Sequence, residues 1–229
     1  LPELEIFLLD RHVVSKNFGM DVESEVIKAL QKAHVNCLNN VTINKIEGQS
    51  VIYNHSEVLT VDLVVSTLGL RANQLTSSLP FKKDKQGRIY VNEYLQLPNY
   101  SNCFAAGDIA FAKPDDTHAP VMSCQQGRPQ GRYAGYNAIS ILANDALLPY
   151  SQPNYVTCID LGEFGVIYTE GWERKLIKSG KEAKRIKQHI NQDRIYPPKT
   201  LDKQALLSSG ELEFITPAVS VNDLKSDKN

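Results

Sequence analysis

Cysteine is scarce and scattered: the 229 residues hold four, Cys37, Cys103, Cys124 and Cys158, with no C-x-x-C among them. A zinc knuckle or a redox dithiol needs closely spaced thiols, so neither is spelled out, and the four read as reduced thiols in a cytoplasmic-type compartment. An excess of either charge is missing too. Lys and Arg number 25 against 26 Asp and Glu, for a formal net charge of -1, so the chain has no polyelectrolyte character and no nucleic-acid partner is expected. No apolar run approaches the ~20 residues of a membrane helix, and no signal peptide opens the chain, which reads as soluble or peripheral. The five histidines, His12, His34, His55, His118 and His189, show no ligand spacing, so no metal site is expected. Neither G-x-S-x-G nor H-E-x-x-H occurs to support hydrolysis.

What is there centres on Asn102-Cys103-Phe104-Ala105-Ala106-Gly107-Asp108-Ile109-Ala110, a short apolar strand that ends abruptly in Gly-Asp. Glycine at a strand's end admits another backbone or a ligand where any Cβ would clash, and an ionised carboxylate can only accept hydrogen bonds. The pair suits a chain of hydroxyls lying over the strand tip. It equally suits a plain Gly-Asp turn closing a strand.

Glu5 to Asp10 reads as a buried parallel strand with a carboxylate at its end. A helix follows, with Asp21 as N-cap, Glu23 and Glu25 in the first turn, and Val22, Val26, Ala29, Leu30 and Ala33 at helical spacing. Val41 to Ile46, Ser50 to Tyr53 and Val58 to Val61 predict an antiparallel meander, and Leu63 to Thr67 a buried strand capped by Leu68-Gly69. Further on, a helix after Pro120 carries Gly127, Gly131 and Gly135 at four-residue spacing, a smooth stripe for close backbone packing, with Pro129 expected to kink or restart it. Beyond Pro149-Tyr150, Tyr155 to Gly162 and Gly165 to Thr169 predict a hairpin or meander. A basic patch follows, Arg174, Lys175, Lys178, Lys181, Lys184, Arg185 and Lys187, with a weak apolar face of Ala183, Ile186 and Ile190. It reads either as a membrane-surface segment or as a solvated helix.

Phe104-Ala105-Ala106-Gly107-Asp108, preceded by Tyr94-Leu95-Gln96 and followed by Ala119-Pro120 and a helix, resembles the second flavin fingerprint of two-dinucleotide-fold flavoproteins. The resemblance implies FAD, with Asp108 on its ribityl chain and Gly107 and Ile109 in backbone contact nearby. The order strand, helix, meander, strand-Gly is similar to the second half of that family's nicotinamide-nucleotide domain. It implies NAD(H), with Asp10 on the adenosine ribose and Leu68 and Gly69 where the backbone passes the dinucleotide. A carboxylate there accepts from two ribose hydroxyls and repels a 2′-phosphate, which favours NADH, while Arg11 leaves room for NADPH. Read without the family, Asp10 is a turn or cap residue.

The resemblance also places Met122 and Ser123, at the helix start, in backbone contact with the flavin ring. In the type II NADH dehydrogenase branch two glutamines line the quinone entrance here; Gln125 matches the second, and the first falls at Val121. Pro153 to Cys158, Asp160-Leu161-Gly162 and Thr169 to Trp172 resemble the carboxyl-terminal domain of bacterial enzymes of that branch. No His-Pro pair occurs, which argues against disulfide-reductase chemistry.

The glycine-rich phosphate loop should precede its ribose-binding acid by about 20 residues. Asp10 has nine residues ahead of it, no G-x-G-x-x-G occurs, and residue 1 is Leu. The expectation is a carboxyl-terminal part of a longer protein, with both phosphate cradles upstream and either cofactor bound poorly by this part alone. The expected fold is α/β: a partial two-dinucleotide-binding-domain flavoprotein, three-layered with a parallel sheet and an antiparallel meander, plus a small α+β carboxyl-terminal domain. Boundaries are expected at 1–93 for the second half of the NAD(H) domain, 94–148 for the returning segment of the FAD domain, 149–215 for the carboxyl-terminal domain and 216–229 for a tail. The expected function is hydride transfer from NADH to FAD and then electrons to an acceptor such as a quinone, with no catalytic side chain nominated. A non-catalytic assembly role, or a same-fold reductase acting on ferredoxin, rubredoxin or sulfide, stands as the alternative. Attachment to the inner face of the cell membrane and a homodimer complete the expectations.

Overall fold

The computed structural model describes residues 4–212; the expected tail at 216–229 lies outside them. In chain order they form β1 (Ile6–Leu9), α1 (Met20–Lys32), β2 (Val35–Leu38), β3 (Ile43–Glu47), β4 (Ser50–Tyr53), β5 (Glu57–Thr60), β6 (Ile89–Tyr90), β7 (Gln96–Leu97), β8 (Tyr100–Phe104), β9 (Ala110–Phe111), α2 (Cys124–Ala143), β10 (Val156–Asp160), β11 (Val166–Glu170), β12 (Lys175–Ser179), α3 (Gly180–His189) and α4 (Lys203–Ser208). Among the described residues, contacts gather 4–67 with 155–189 into one compact unit and 68–154 with 190–212 into another. This division differs from the expected boundaries at 93/94 and 148/149.

In the first unit β1 and β2 pair in parallel, Ile6 opposite Val35 through Leu9 opposite Leu38, with α1 as the crossover that parallel pairing requires. Val22, Val26 and Ala29 recur on one face of α1 and are buried. The helix is capped by Gly19 at φ 88°, one residue before Met20, rather than by Asp21; Asp21 sits instead in the first turn, where its charge favours the helix dipole. The meander forms as expected, in the order β3-β4-β5. The strand expected at Leu63 to Thr67 does not form. Leu63 is 78% and Val65 73% exposed. A parallel strand returning after such a meander pairs with the first strand of its dinucleotide domain; among the described residues the parallel pairing in this unit stops at β1-β2, so the three-layer sheet is not assembled.

The same unit contains the antiparallel sheet β10-β11-β12. Ile167 of β11 packs with Val22 and Val26 of α1, flanked by Phe18, Leu30, Ile159, Leu161 and Leu176. A three-stranded sheet has two faces to cover, and α3 packs against β11 as well. Ala183 and Ile186 are fully buried in doing so. The apolar face that membrane insertion would need is therefore turned into the core. Much of the basic patch is committed internally too. Lys184 Nζ donates to Asp160 Oδ1 at 2.7 Å, Lys187 Nζ to the Cys158 carbonyl at 2.9 Å, and Arg174 to the Asn17 carbonyl at 2.7 Å. Lys178 pairs with Glu182.

The second unit pairs β6 with β9 in parallel and β7 with β8 antiparallel. Its core is Leu95, Ala105, Ala110, Ala112, Tyr133 and Tyr150. Helix α2 runs unbroken through Pro129. Proline lacks the N–H that would bond the carbonyl four residues back, and that carbonyl, of Gln125, accepts from Gln152 Nε2 at 2.7 Å. The glycine stripe is used once. A Cβ on Gly127 would lie 3.5 Å from Gly107 Cα, whereas Gly131 and Gly135 face open space.

Candidate functional site

Strand β8 leads through buried Ala105 and extended Ala106 into Gly107, where the backbone turns to φ 76° and enters a 3-10 turn over Gly107–Ile109. Positive φ strains any residue with a Cβ, so the abrupt strand end read from the sequence is a conformational demand. The turn packs against α2, and the Gly107 N–H donates to Gln130 Oε1 at 2.7 Å. Gln130 is buried. One face of the hinge is thus fixed from within, and Asp108, the next residue, is exposed.

The other side of the site is the start of α2. Ser123 takes the N-cap position with extended backbone but makes no capping bond, and its Oγ is buried without a partner. Gln126, also buried, uses Oε1 to accept the Val121 N–H at 2.7 Å. Arg88 holds the preceding loop: Nη1 donates to the Pro120 carbonyl at 2.7 Å, Nε donates to Asp84 Oδ2 at 2.9 Å, and the guanidinium lies 4.9 Å from the Phe111 ring centre. Further back in this loop, Asp115 accepts from the N–H groups of Thr117 and His118, both at 2.8 Å, and pairs with His118 Nδ1 at 2.8 Å. Desolvation pushes the Asp115 carboxyl up, but these bonds, His118 foremost, outweigh it and hold it far below the usual carboxylate range. A strained glycine turn, an exposed carboxylate and an orphaned hydroxyl beside a helix N-terminus fit a polyhydroxylated, anionic ligand such as FAD.

Asp10 stands at the carboxyl end of β1, its N–H on the Leu38 carbonyl at 3.0 Å. Its Oδ1 accepts the His12 N–H at 2.8 Å, the local turn bond of an Asp followed by loop. Leu68 is 89% exposed, and Gly69 has φ 88° with open space about it. Asp10 belongs to the first unit and Leu68 and Gly69 to the second. Met122 and Ser123 are half-buried at the start of α2.

The description "pyridine nucleotide-disulphide oxidoreductase" fits residues 4–131, a stretch that runs from the start of β1 into α2 and holds every residue named above for FAD or NAD(H). The chain belongs to this family. Membership implies FAD and NAD(P)H as cofactors, as the Gly107-Asp108 resemblance led us to expect. An NADH dehydrogenase-like protein of Mycobacterium tuberculosis is 41% identical over 205 residues, 89% of this chain and 51% of that protein. A similarly named Bacillus subtilis protein is 30% identical over 167 residues, 71% of this chain and 44% of its own length. Among solved structures, the sulfide:quinone oxidoreductase of Aquifex aeolicus shares the fold with a TM-score of 0.62 at 16% identity, covering 90% of this chain and 51% of the other. The chain spans about half the length of the relatives it matches.

Sequence reading missed the family member's supporting residues Gln130, Gln126, Gln152 and Arg88. A signal for two of them existed. Gln126, Gln130, Tyr133, Asn137 and Ser140 are the buried residues of α2, and their spacing of four, three, four and three marks one helical face.

Proposed function

We propose that this chain is part of an FAD-dependent NAD(P)H dehydrogenase that passes a hydride from NADH to the flavin and electrons onward to an acceptor of quinone type. The observation that carries the reading is the Gly107 hinge, pinned by Gln130, which presents the Asp108 carboxylate beside the start of α2. Bound FAD would supply the redox chemistry. Asp108 would accept hydrogen bonds from the ribityl hydroxyls, and Gly107 and Ile109 would give the backbone room to approach them. The N-terminus of α2, with Met122 and Ser123, would set positive potential beside the ring, and Ser123 Oγ offers an unused donor there. Asp10 would take the ribose hydroxyls of NADH, its position fixed by the His12 turn bond.

Gln125 would stand at the acceptor side, its backbone held by Gln152. Among the described residues no helix is long and apolar enough to cross a membrane, and α3 buries its apolar face. Attachment to the inner membrane face would then rest on exposed cations such as Lys181 and Arg185.

The test uses the natural-length product that contains this chain. Asp108→Ala removes charge-assisted hydrogen bonds worth about 1.5–3 kcal/mol, so flavin affinity, read from the absorbance of bound flavin on titration, should fall on the order of tenfold to a hundredfold. Unchanged flavin affinity would overturn the assignment. In the same preparation, reduction of a soluble quinone with NADH or with sulfide as the electron donor separates the donors, and NADH oxidation with the quinone or with oxygen separates the acceptors.

A further inference from the structure

The loop that begins with Asp10 is anchored at two places, both within the unit of residues 4–67 and 155–189. It runs from the end of β1 to the start of α1, residues 10–19. Its first half is tied to the turn between β2 and β3. The Val41 N–H donates to the Asp10 carbonyl at 2.8 Å, the Asn40 N–H to the His12 carbonyl at 3.2 Å, and the Val14 N–H to Asn39 Oδ1 at 2.9 Å. Val14 is buried there, while Arg11 and His12 are exposed. The second half, a 3-10 turn over Lys16–Phe18, is gripped by Arg174, more than 150 residues further along the chain.

Arg174 sits in the turn between β11 and β12, its N–H on the Gly171 carbonyl at 3.0 Å. Nη1 donates to the Asn17 carbonyl at 2.7 Å, and the guanidinium lies 4.9 Å from the Phe18 ring centre. It also lies 5.9 Å from the ring centre of Tyr155, which stacks on Trp172. A guanidinium can donate from its edge and stack on its face at once, so one side chain holds two adjacent loop residues. The grip is kept at a local cost. Arg174 has φ 52°, the left-handed region that strains a residue with a Cβ. Its Nε is buried with no hydrogen-bond partner among the described residues, which leaves a desolvated donor unsatisfied. Two such costs at one residue point to function rather than to stability.

We infer that Arg174 is a positioning residue for the adenosine end of NADH: through Asn17 and Phe18 it holds loop 10–19 in the shape that presents Asp10 to the ribose hydroxyls. The inference rests on the reading of Asp10 as the ribose acceptor. The Asp10 carboxylate is aimed by its bond from the His12 N–H, so its direction follows the backbone at the start of this loop. Without Arg174 the loop samples other shapes, and the apparent dissociation constant rises as the competent fraction falls. Binding shared by ground and transition states is what suffers, so KM moves and kcat does not.

Calorimetric titration of the natural-length product with ADP-ribose reads the adenosine end without hydride transfer. Arg174→Gln removes the charge over Phe18 and shortens the reach to Asn17. It should weaken ADP-ribose binding about threefold to tenfold, which corresponds to a competent fraction of about a third to a tenth. KM for NADH should rise by a similar factor with kcat unchanged, and oxidation of reduced nicotinamide mononucleotide, which carries no adenosine, should be unaltered. Phe18→Leu removes the ring under the guanidinium and keeps an apolar side chain; it should act in the same direction, and it decides if Arg174→Gln loses its helical circular dichroism. Asp10→Asn separates the two readings. Weakened ADP-ribose binding in Asp10→Asn with Arg174→Gln within about twofold of wild type overturns this inference alone. Unchanged binding in Asp10→Asn overturns the ribose reading and this inference with it. An equal loss of activity with the mononucleotide also overturns it, because the effect would then not belong to the adenosine end.

Discussion

The Gly107 N–H donates to Gln130 Oε1 at 2.7 Å, tying the strained turn after β8 to the buried face of α2. The same glutamine hydrogen-bonds Tyr150, whose hydroxyl is pushed up to about 12, chiefly by burial. Gln130→Leu keeps the approximate volume but leaves the Gly107 N–H without its acceptor, at a cost of about 1–3 kcal/mol. Urea unfolding should register that loss. Gln130→Glu, which retains an acceptor, should hold the turn better than Leu does; equal denaturation midpoints for wild type and Gln130→Leu would mean the bond does not anchor the hinge.

Acid should weaken the second unit through Asp84. Its side chain is nearly buried with Arg88, at 2.8 Å from Nη2. Desolvation raises its carboxyl, but the hydrogen bonds and charge of Arg88 overcome this, and the net shift is downward. A carboxyl whose folded pKa is depressed contributes stability above its unfolded value of about 3.9, and that contribution is lost as pH falls through the folded value. Stability by chemical denaturation should therefore drop below about pH 4 in the wild type. Asp84→Asn should be less stable at neutral pH by about 1.5–3 kcal/mol and show a shallower acid limb. Asp115 and Asp160, also lowered by their partners, keep some slope in the variant. An identical acid limb in both proteins would remove Asp84 from the account.

The elements legible in the sequence are those whose cause is local. Val22, Val26 and Ala29 at helical spacing gave α1, and alternation around Gly48 and Asn54 gave the meander. Leu63 to Thr67 read as a buried strand because its residues are apolar, but a strand needs a hydrogen-bonding neighbour, and composition says nothing of whether one is present. Strand β2 escaped notice as four residues directly after a helix. Helix α2 misled more deeply. Its buried face is amide-rich, with Asn137 completely enclosed and donating to the Tyr94 and Leu148 carbonyls at 3.0 and 2.9 Å, while Ile139 and Leu142 are 65% and 83% exposed. The usual rule that apolar residues mark the inner face points the wrong way here, which is why Asp108 was found and Gln130 was not.

Thiol chemistry should separate Cys158 from Cys124. Burial pushes the Cys158 thiol up to about 11, only partly opposed by Lys187, whereas Cys124 is exposed at the first turn of α2. At pH 8 a thiol of pKa about 11 is thiolate to about one part in a thousand. Iodoacetamide labelling followed by mass spectrometry should modify Cys124 early and Cys158 last, with the Cys158 rate rising about tenfold per pH unit up to about pH 11. Co-labelling of the two at pH 8 would show that β10 is not packed as described.

The carbonyl of Gln125 and the amide of Gln152 form a bond whose worth depends on Pro129. Proline at this position leaves the Gln125 carbonyl without its helical donor, and Gln152 Nε2 fills the gap at 2.7 Å. Gln152→Ala should therefore cost about 0.5–1.5 kcal/mol in the native background. Pro129→Ala restores an N–H four residues along, and removing an interior proline should stabilise the helix by up to about 3 kcal/mol. In the Pro129→Ala background the carbonyl has a helical partner, so Gln152→Ala should cost measurably less, giving a coupling energy of about 0.5–1 kcal/mol in a double-mutant cycle. Because we propose Gln125 at the acceptor side, the cycle also reports how firmly that part of α2 is held. Strict additivity of the two substitutions would mean that Gln152 stabilises the unit through its packing and not by completing the broken ladder.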